Sequence, residues 1–431
     1  PGRILATPAI VEGDLIVRTD EALYLFPGER SQSETTTNEA TQETAESPTH
    51  PHPKPVATRP EQTVSAEPTR FDAAEPSAWP LYRGTPSCTG ISQASLPERL
   101  ETLWVHSEEK ESFSASPVIG EGTVVVGSVM GALLALDLDT GEVKWRFDSE
   151  AGFTASAAYH DGAFYVGDVD GVFYCLDAED GAIRWKFETE AEIDNSPNFF
   201  GDEVLFGSQD FYLYCLDART GAKRWAFENE DQIRCCPPVV AQFTLIAGCD
   251  GALHVLDLLT GEEVRKVDLE GPTGCTPAVA GNIAYVGTED GLFFAVDWRD
   301  GSVVWRFEAE KAGSLSFRSS AVLTDELVIV GARDKSVRAF DRRTGKPRGQ
   351  FMTRRYVDGS PVRVGNRVYI GSMDGRLYCL DAGDASLQTL VWEKDLGGAI
   401  SGTPAVVDGR LVVATEEGDI YCFGTSGKPP E

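Results

Sequence analysis

Two adjacent cysteines, Cys235 and Cys236, are the residues of this sequence with the clearest capacity for redox chemistry. Neighbouring thiols can take part in thiol–disulfide reactions or support a redox cofactor. The competing interpretation is packing, because a free cysteine commonly behaves as a small buried apolar residue. We predict no catalytic residue in this chain, and we keep Cys235 and Cys236 as the alternative cofactor-binding candidates.

No metal site is predicted. Asp137, Asp139 and Gly141 are spaced like part of a calcium loop, but the distal glutamate of a full ligand set is missing, so we interpret them as turn residues. His50 and His52 lie in a Pro-rich stretch without the further ligands that a zinc site needs. The other histidines lack a neighbouring histidine and are interpreted as packed or surface residues: His106, His160 and His254.

A repeat of about forty residues positions these side chains and occurs eight times. Each copy opens at a proline or alanine: Pro117, Ala157, Pro197, Pro237, Pro277, Ala321, Pro361 and Pro404. After the opening come an apolar strand ending in glycine, a short turn that is often Asp-Gly, and a second apolar strand. Asp-Gly between alternating apolar runs indicates a hairpin, and a third strand with tryptophan follows.

A blade of a β-propeller consists of four short antiparallel strands, and each copy has the length and pattern of one blade. No copy shows helical periodicity. We therefore predict an all-β fold, an eight-bladed β-propeller over residues 79–431. The last copy lacks its tryptophan strand, and the segment around Trp104 matches that strand. We predict that this segment closes the ring, which removes exposed strand edges.

Two segments precede the predicted propeller. Residues 1–28 resemble the end of the last copy, so we predict a partial repeat from a preceding propeller; the alternative is a strand pair docked on this one. Residues 29–78 are rich in Ser, Thr, Glu, Gln and Pro, which predicts a disordered linker. The chain begins at Pro1 rather than methionine, as expected if a signal segment has been removed.

The composition is strongly acidic. With 38 basic and 68 acidic residues, the formal net charge is −30. Such a surface repels phosphate backbones and anionic lipids, so we predict no nucleic-acid partner. No apolar run is long enough to span a bilayer, so we predict no transmembrane segment in this chain.

A tryptophan near the end of most copies is predicted to wedge between neighbouring blades. It ends the pattern Ala-x-Asp-x-x-Thr-Gly-x-x-x-Trp, whose Asp, Thr and Gly suit a tight turn. Burying one indole contributes up to roughly 4–6 kcal/mol. Arg265 and Gly349 take its place in blades 4 and 6, and we expect weaker seams there. The predicted docking residues are Trp104, Trp145, Trp185, Trp225, Trp305 and Trp392.

This pattern resembles the tryptophan-docking motif of the pyrroloquinoline quinone (PQQ) enzyme-type repeat family. The segment from Trp79 to Gly84 is similar to the lead-in found before such propellers, and the resemblance extends to about Gly424. The family includes quinone-dependent alcohol dehydrogenases and BamB-like outer membrane protein assembly factors. The resemblance implies an eight-bladed propeller, but one fold carries many functions.

The resemblance implies two classes of function. A BamB-like protein would be a non-catalytic, monomeric scaffold for protein partners in the periplasm or cell envelope, without a cofactor. The alternative is a PQQ-dependent alcohol dehydrogenase with calcium or a lanthanide, in which Cys235 and Cys236 would form the vicinal disulfide of methanol-dehydrogenase-type members. Nearly uniform repeats leave little room for the inserted loops of such an enzyme. A ligand- or carbohydrate-binding sensor module is a third interpretation.

Eight residues, each three positions before an opening, are predicted to surround the mouth of the central channel: Ser114, Thr154, Asp194, Arg234, Gly274, Arg318, Asp358 and Ser401. Asp194, Arg234, Arg318 and Asp358 give this ring both signs of charge. The simpler interpretation is a hydrated, self-compensating lining. The functional interpretation is a binding funnel for a polar ligand or peptide.

Overall fold

The computed structural model describes residues 72–309 and 315–425 and the backbone of three strands near the N-terminus. The chain divides into two compact units, Pro1–Thr63 and Val64–Glu431. In the first unit an antiparallel sheet is formed by β1 (Ala9–Val11), β2 (Asp14–Arg18) and β3 (Leu23–Phe26). Its origin in a preceding propeller stays a prediction, and the predicted linker lies outside the described residues up to residue 71.

The second unit is the predicted eight-bladed β-propeller, and it begins with β4 (Ile91–Ser92) and β5 (Glu101–Ser107). Blades 1 to 4 follow in chain order as β6 (Val118–Gly120), β7 (Thr123–Gly127), β8 (Ala132–Asp137) and β9 (Val143–Asp148); β10 (Ala158–His160), β11 (Ala163–Gly167), β12 (Val172–Asp177) and β13 (Ile183–Glu188); β14 (Asn198–Phe200), β15 (Glu203–Gly207), β16 (Tyr212–Asp217) and β17 (Lys223–Glu228); β18 (Val239–Val240), β19 (Phe243–Ala247), β20 (Ala252–Asp257) and β21 (Glu262–Asp268).

Blades 5 to 8 have the same arrangement, and their strands are β22 (Ala278–Ala280), β23 (Ile283–Gly287), β24 (Leu292–Asp297) and β25 (Ser302–Glu308); β26 (Val322–Leu323), β27 (Leu327–Ala332), β28 (Ser336–Asp341) and β29 (Pro347–Met352); β30 (Val362–Val364), β31 (Arg367–Gly371), β32 (Arg376–Asp381) and β33 (Leu390–Asp395); β34 (Ala405–Val407), β35 (Arg410–Ala414) and β36 (Asp419–Gly424). We find no helix of the described chain with the length and apolarity needed to cross a bilayer.

In every blade the strands of the repeat pair antiparallel, and in blades 1 to 7 they follow chain order from the axis outwards. The two middle strands are apolar on both faces and almost fully buried, because each face packs against a neighbouring blade. The outermost strands are largely exposed and alternate in burial. The core is therefore a series of apolar layers between blades.

The ring closes as predicted. β5 pairs antiparallel with β36 and completes blade 8, with Trp104 opposite Cys422. β4 adds a fifth strand, parallel to β30, at the inner edge of blade 7. The ring is thus closed by β5, a strand that precedes blade 1 in the sequence.

The tryptophans lie at the seams between blades. The indole N–H of Trp145 donates to the carbonyl of Ala178 in blade 2 at 3.0 Å, and the ring packs against Gly181, where a side chain would clash. Trp392 instead meets Phe423 edge-on, with ring centroids 5.8 Å apart. The indole bond to the next blade is repeated by Trp104, Trp185, Trp225 and Trp305.

The two seams without tryptophan are filled differently. Arg265 of blade 4 donates from Nε to the carbonyl of Arg299 in blade 5, so this seam keeps a donor where the indole would be. Gly349 of blade 6 lies directly against the backbone of Ser386 in blade 7, and the adjacent Leu387 is fully buried. The lower stability expected of these seams stays a prediction.

Candidate functional site

The propeller encloses an axial cavity of about 170 Å³, smaller than the roughly 300–1,000 Å³ of most small-molecule sites. Arg318 is not part of its lining and pairs with Glu289 at 3.0 Å. The other seven residues of the predicted ring line the cavity: Ser114, Thr154, Asp194, Arg234, Gly274, Asp358 and Ser401.

A belt of small polar residues surrounds the cavity one position before each opening: Ser116, Ser156, Ser196, Cys236, Thr276, Ser320, Ser360 and Thr403. Six of these backbone N–H groups donate to the hydroxyl of the next blade, at 2.8–3.1 Å. The belt therefore fastens the inner edges of the blades to one another. We did not predict it, although serine or threonine stands at this position in seven of the eight copies.

The lead-in, residues 72–100, crosses one end of the channel. Tyr82 from this segment lines the cavity, with its hydroxyl 3.1 Å from Ser360 Oγ. Ala74 is buried and bridges to Ser92, so the ordered lead-in begins within the residues assigned to the linker. The cavity is a cup with the lead-in as its floor.

Backbone hydrogen bonds join the lead-in to six of the eight blades. The bonded pairs are Trp79 and Ile119, Pro80 and Tyr159, Pro86 and Val239, Ser87 and Val279, Gly90 and Arg363, and Pro76 and Asp408.

Arg83 fastens the lead-in to blades 6 and 7. Its guanidinium is fully buried, and burial lowers its pKa. No carboxylate forms an ion pair with it among the described side chains. The charge is instead held by donation to backbone carbonyls of the lead-in and of blades 6 and 7, those of Cys88, Thr89, Ser320, Ala321 and Pro361.

Asp194 is a carboxyl of the cup whose pKa is raised. Burial raises the pKa of its carboxyl to about 6, although Arg234 and Gln209 act in the opposite direction. Gln209 Nε2 donates to Asp194 Oδ2 at 2.9 Å, and Arg234 Nε lies 3.7 Å from the same oxygen. Asp358 is paired more tightly, with Arg333 at 2.6 Å. The ring is thus largely self-compensating.

Three oxygens at the cup are nevertheless buried without a hydrogen-bond partner in the described part of the protein: Thr154 Oγ1, Asp194 Oδ1 and Ser401 Oγ. Buried polar atoms normally have partners. These acceptors can therefore receive hydrogen bonds from water or from a small donor group that enters the cup.

The adjacent cysteines point to different neighbours. Cys235 Sγ accepts a hydrogen bond from the Ala247 N–H of its own blade at 3.2 Å. Cys236 Sγ lies 3.6 Å from Cys88 Sγ in the lead-in. Both are free and buried, and burial raises the pKa of Cys235 to about 12 and that of Cys236 well above its usual value. Of the two, Cys236 lines the cup.

A cation-assisted quinone site does not fit the residues around the cup. No group of three or more His, Cys, Asp or Glu side chains in the described ranges is arranged to hold a metal ion. Asp194 and Asp358 come from blades 3 and 7, on opposite sides of the ring, and each has an arginine beside it.

His254 of β20 is not a solitary packed histidine as interpreted from the sequence. Its Nε2 lies 2.8 Å from Asp250 Oδ2 and its Nδ1 lies 2.5 Å from Glu263 Oε1. Burial lowers the pKa of His254, but the hydrogen bonds and charges of both carboxylates outweigh burial and raise it. With a carboxylate oxygen beside each ring nitrogen, the protonated ring is the form that donates to both. Both partners belong to blade 4: Asp250 precedes His254 by four residues, and Glu263 lies on the neighbouring strand β21.

We expect His254→Phe to lower the free energy of unfolding by about 2–4 kcal/mol near pH 6, because buried Asp250 loses its main donor. A pKa raised in the folded state adds stability that is complete below the unfolded pKa and is lost as pH rises through the folded pKa. The difference from wild type should therefore be complete below the ordinary histidine pKa of about 6.5 and should shrink as pH rises above it. Urea unfolding at several pH values measures it.

The matched control is His254→Tyr, because Tyr214 and Tyr378 make the equivalent hydrogen bond to Asp210 and Asp374 in blades 3 and 7. This variant should keep most of the stability and lose the pH dependence. A His254→Phe difference that stays constant over this pH range would contradict the assignment of a protonated ring.

The eight blades, the docking tryptophans and the closing strand define a propeller built from PQQ-type repeats. The chain belongs to the family described as outer membrane protein assembly factor BamB, whose family model matches residues 97–209, 129–232 and 209–423. These matches together cover most of the propeller.

Individual proteins show the same relationship. The chain is 35% identical over 107 residues to outer membrane protein assembly factor BamB of Burkholderia pseudomallei, a match over 24% of this chain and 27% of that protein's length. Crystallised BamB from Moraxella catarrhalis superposes with a TM-score of 0.65 at 21% identity, covering 77% of this chain and all of that one. Quinohemoprotein alcohol dehydrogenase from Comamonas testosteroni superposes with a TM-score of 0.70 at 17% identity, covering 83% of this chain and 82% of that one. At these identities the structural likenesses establish the fold alone.

Proposed function

We propose that this protein is a non-catalytic scaffold in the periplasm or cell envelope that binds protein partners in outer membrane protein assembly. The observation that carries the proposal is the BamB family match across residues 97–423. The acidic composition and the largely self-compensated cup support binding rather than catalysis. The enzyme alternative predicts tight binding of PQQ with calcium and dye-linked alcohol oxidation, whereas we expect neither.

Phe211 indicates the surface that the partner contacts. Its ring is 41% exposed, and its φ of 79° is in the left-handed region. Lys335 holds this turn position in blade 6, and the remaining blades have glycine: Gly131, Gly171, Gly251, Gly291, Gly375 and Gly418. A side chain there costs about 1 kcal/mol. An exposed aromatic at a strained position is a feature of binding surfaces, where aromatic residues act as anchors.

The turn that carries this anchor adjoins the cup, and Phe211 itself lies outside the lining of the cup. It ends the turn whose Gln209 bonds to Asp194, and Asp210 of the same turn accepts from the backbone N–H of Glu190. A carboxylate, that of Asp210, therefore stands one residue before the exposed aromatic ring. A partner with an apolar pocket and a basic rim has the complementary chemistry, and its association should weaken with added salt.

Photo-crosslinking tests this surface. A photoreactive phenylalanine at position 211 in the full chain should give a discrete adduct with a component of the outer membrane protein assembly machinery. The same group at Leu259, which is 67% exposed in a turn after β20, is the matched control and should not. Adducts that are absent at 211, or equal at both positions, would contradict the proposed surface.

Phe211→Gly separates binding from folding. Glycine removes the backbone strain, so the free energy of unfolding should rise by up to about 1 kcal/mol. Affinity for the crosslinked partner should nevertheless fall at least about tenfold, as for a binding anchor. Unchanged affinity in the purified variant would remove Phe211 from the interface.

A second candidate function is recognition of a small ammonium group by the cup. The three unpartnered oxygens of Thr154, Asp194 and Ser401 support it, since a carboxylate with two hydroxyls is a set of acceptors. We expect N-acetyl-lysinamide to bind and its norleucine counterpart not to bind in calorimetric titrations. Binding should weaken below about pH 6, where Asp194 is protonated, and in Asp194→Asn but not in Asp358→Asn. Equal heats from both compounds would exclude it.

A further inference from the structure

The contact between the lead-in and blade 4 contains two thiols in an arrangement that the repeat does not require. Cys88 Sγ lies 3.6 Å from Cys236 Sγ, and the two residues are 148 positions apart in the chain. Both side chains are almost fully buried, with 0% and 3% of their surface exposed. The sulfurs need to approach by roughly 1.6 Å to reach the bond length of a disulfide.

Two further observations distinguish this pair from ordinary packing cysteines. Cys236 stands at a belt position where the other seven blades have serine or threonine. Cys88 has a φ of 52°, a left-handed conformation that a non-glycine residue adopts at a cost. The Arg83 Nε–H donates to the Cys88 carbonyl at 2.8 Å and fixes this turn beneath blade 4.

We propose that Cys88 and Cys236 form a disulfide that locks the lead-in into the channel. The reaction is exchange with an external disulfide of a small molecule or of a thiol oxidoreductase. The thiolate of one cysteine attacks that disulfide and expels one thiol, and the second cysteine attacks the resulting mixed disulfide and expels the other. The two protein thiols lose two electrons and two protons, and the external disulfide is reduced to two thiols.

Burial determines when this bond forms. Burial and the neighbouring Cys88 sulfur raise the pKa of Cys236 well above its usual value, so few thiolates exist in the folded state. The exchange therefore occurs while the lead-in docks during folding, after which the bond is protected. In the cell, formation of this disulfide requires an oxidising compartment. That requirement rests on the periplasmic or envelope location proposed above. The purified protein tests the chemistry independently of location.

The experiment refolds the full chain from urea in a glutathione redox buffer, traps free thiols with a maleimide, and maps disulfides by non-reducing peptide mass spectrometry. We expect two of the nine thiols to become protected and one linked peptide pair, Cys88 with Cys236. Oxidation of the folded, reduced protein should be at least about tenfold slower than oxidation during refolding. The oxidised form should melt about 5–10 °C higher than the reduced form.

Two variants keep the result interpretable. Cys236→Ser introduces the belt residue of other blades, so it should fold and lose the cross-link. Cys235→Ser should fold and retain it. A Cys235–Cys236 linkage, scrambled pairs, or nine free thiols after refolding under conditions that oxidise a small dithiol control would each overturn the proposal. Loss of partner crosslinking at position 211 would contradict the proposed scaffold surface and leave the disulfide proposal intact. The two proposals can therefore fail separately.

Discussion

Arg83→Met lowers the free energy of unfolding by about 3–5 kcal/mol, because five backbone carbonyls in a buried site lose their donor. Methionine keeps much of the side-chain length, so the loss reports hydrogen bonding rather than a cavity. The lead-in should also become sensitive to proteolysis, since Arg83 joins it to blades 6 and 7. Urea unfolding and limited proteolysis of the purified chain measure the two effects.

The control is Arg99→Met, an exposed arginine in the same segment, which should change stability by less than about 0.5 kcal/mol. Arg83→Lys should recover part of the loss, because an ammonium supplies three donors in place of five. A cost below about 1 kcal/mol for Arg83→Met would mean that water satisfies the carbonyls and that the lead-in docks by apolar contacts.

Trp145→Ala should cost about 3–5 kcal/mol, the usual loss for a buried tryptophan. The indole fills the seam between blades 1 and 2, bonds to the Ala178 carbonyl and packs on Gly181. Trp145→Phe should cost less, about 1–2 kcal/mol, because it keeps most of the apolar contact and loses the N–H. Thermal and urea unfolding measure both variants.

The comparison seam is that of Arg265, which keeps a donor to the Arg299 carbonyl but buries less apolar surface. We expect Arg265→Ala to cost about 1–2 kcal/mol, below the cost at Trp145. Equal costs at both positions would show that the hydrogen bond, and not the indole surface, holds neighbouring blades together.

Local patterns carried most of the information on the fold. Asp-Gly turns, alternating apolar strands and glycine at the docking turn specify each blade with residues close in sequence, so eight copies could be counted. The closing strand at Trp104 was also recognisable, because it repeats the pattern of Trp145. The belt had an equally periodic signal, a serine or threonine before the opening, but its purpose appears only when blades lie side by side.

The sequence by itself determined the eight blades, the order of their strands, the closing segment and the positions that surround the channel mouth. Only the tertiary structure decided which groups meet there. It placed Arg318 outside the cup, paired His254 with two carboxylates, turned Cys236 towards Cys88 rather than Cys235, and made the lead-in the floor of the cup. The physical reason is that a blade is specified by short-range periodicity, whereas the contacts of the lead-in join residues 148 and 278 positions apart. The His254 contacts lie within one blade, but they depend on side chains that the other copies do not share.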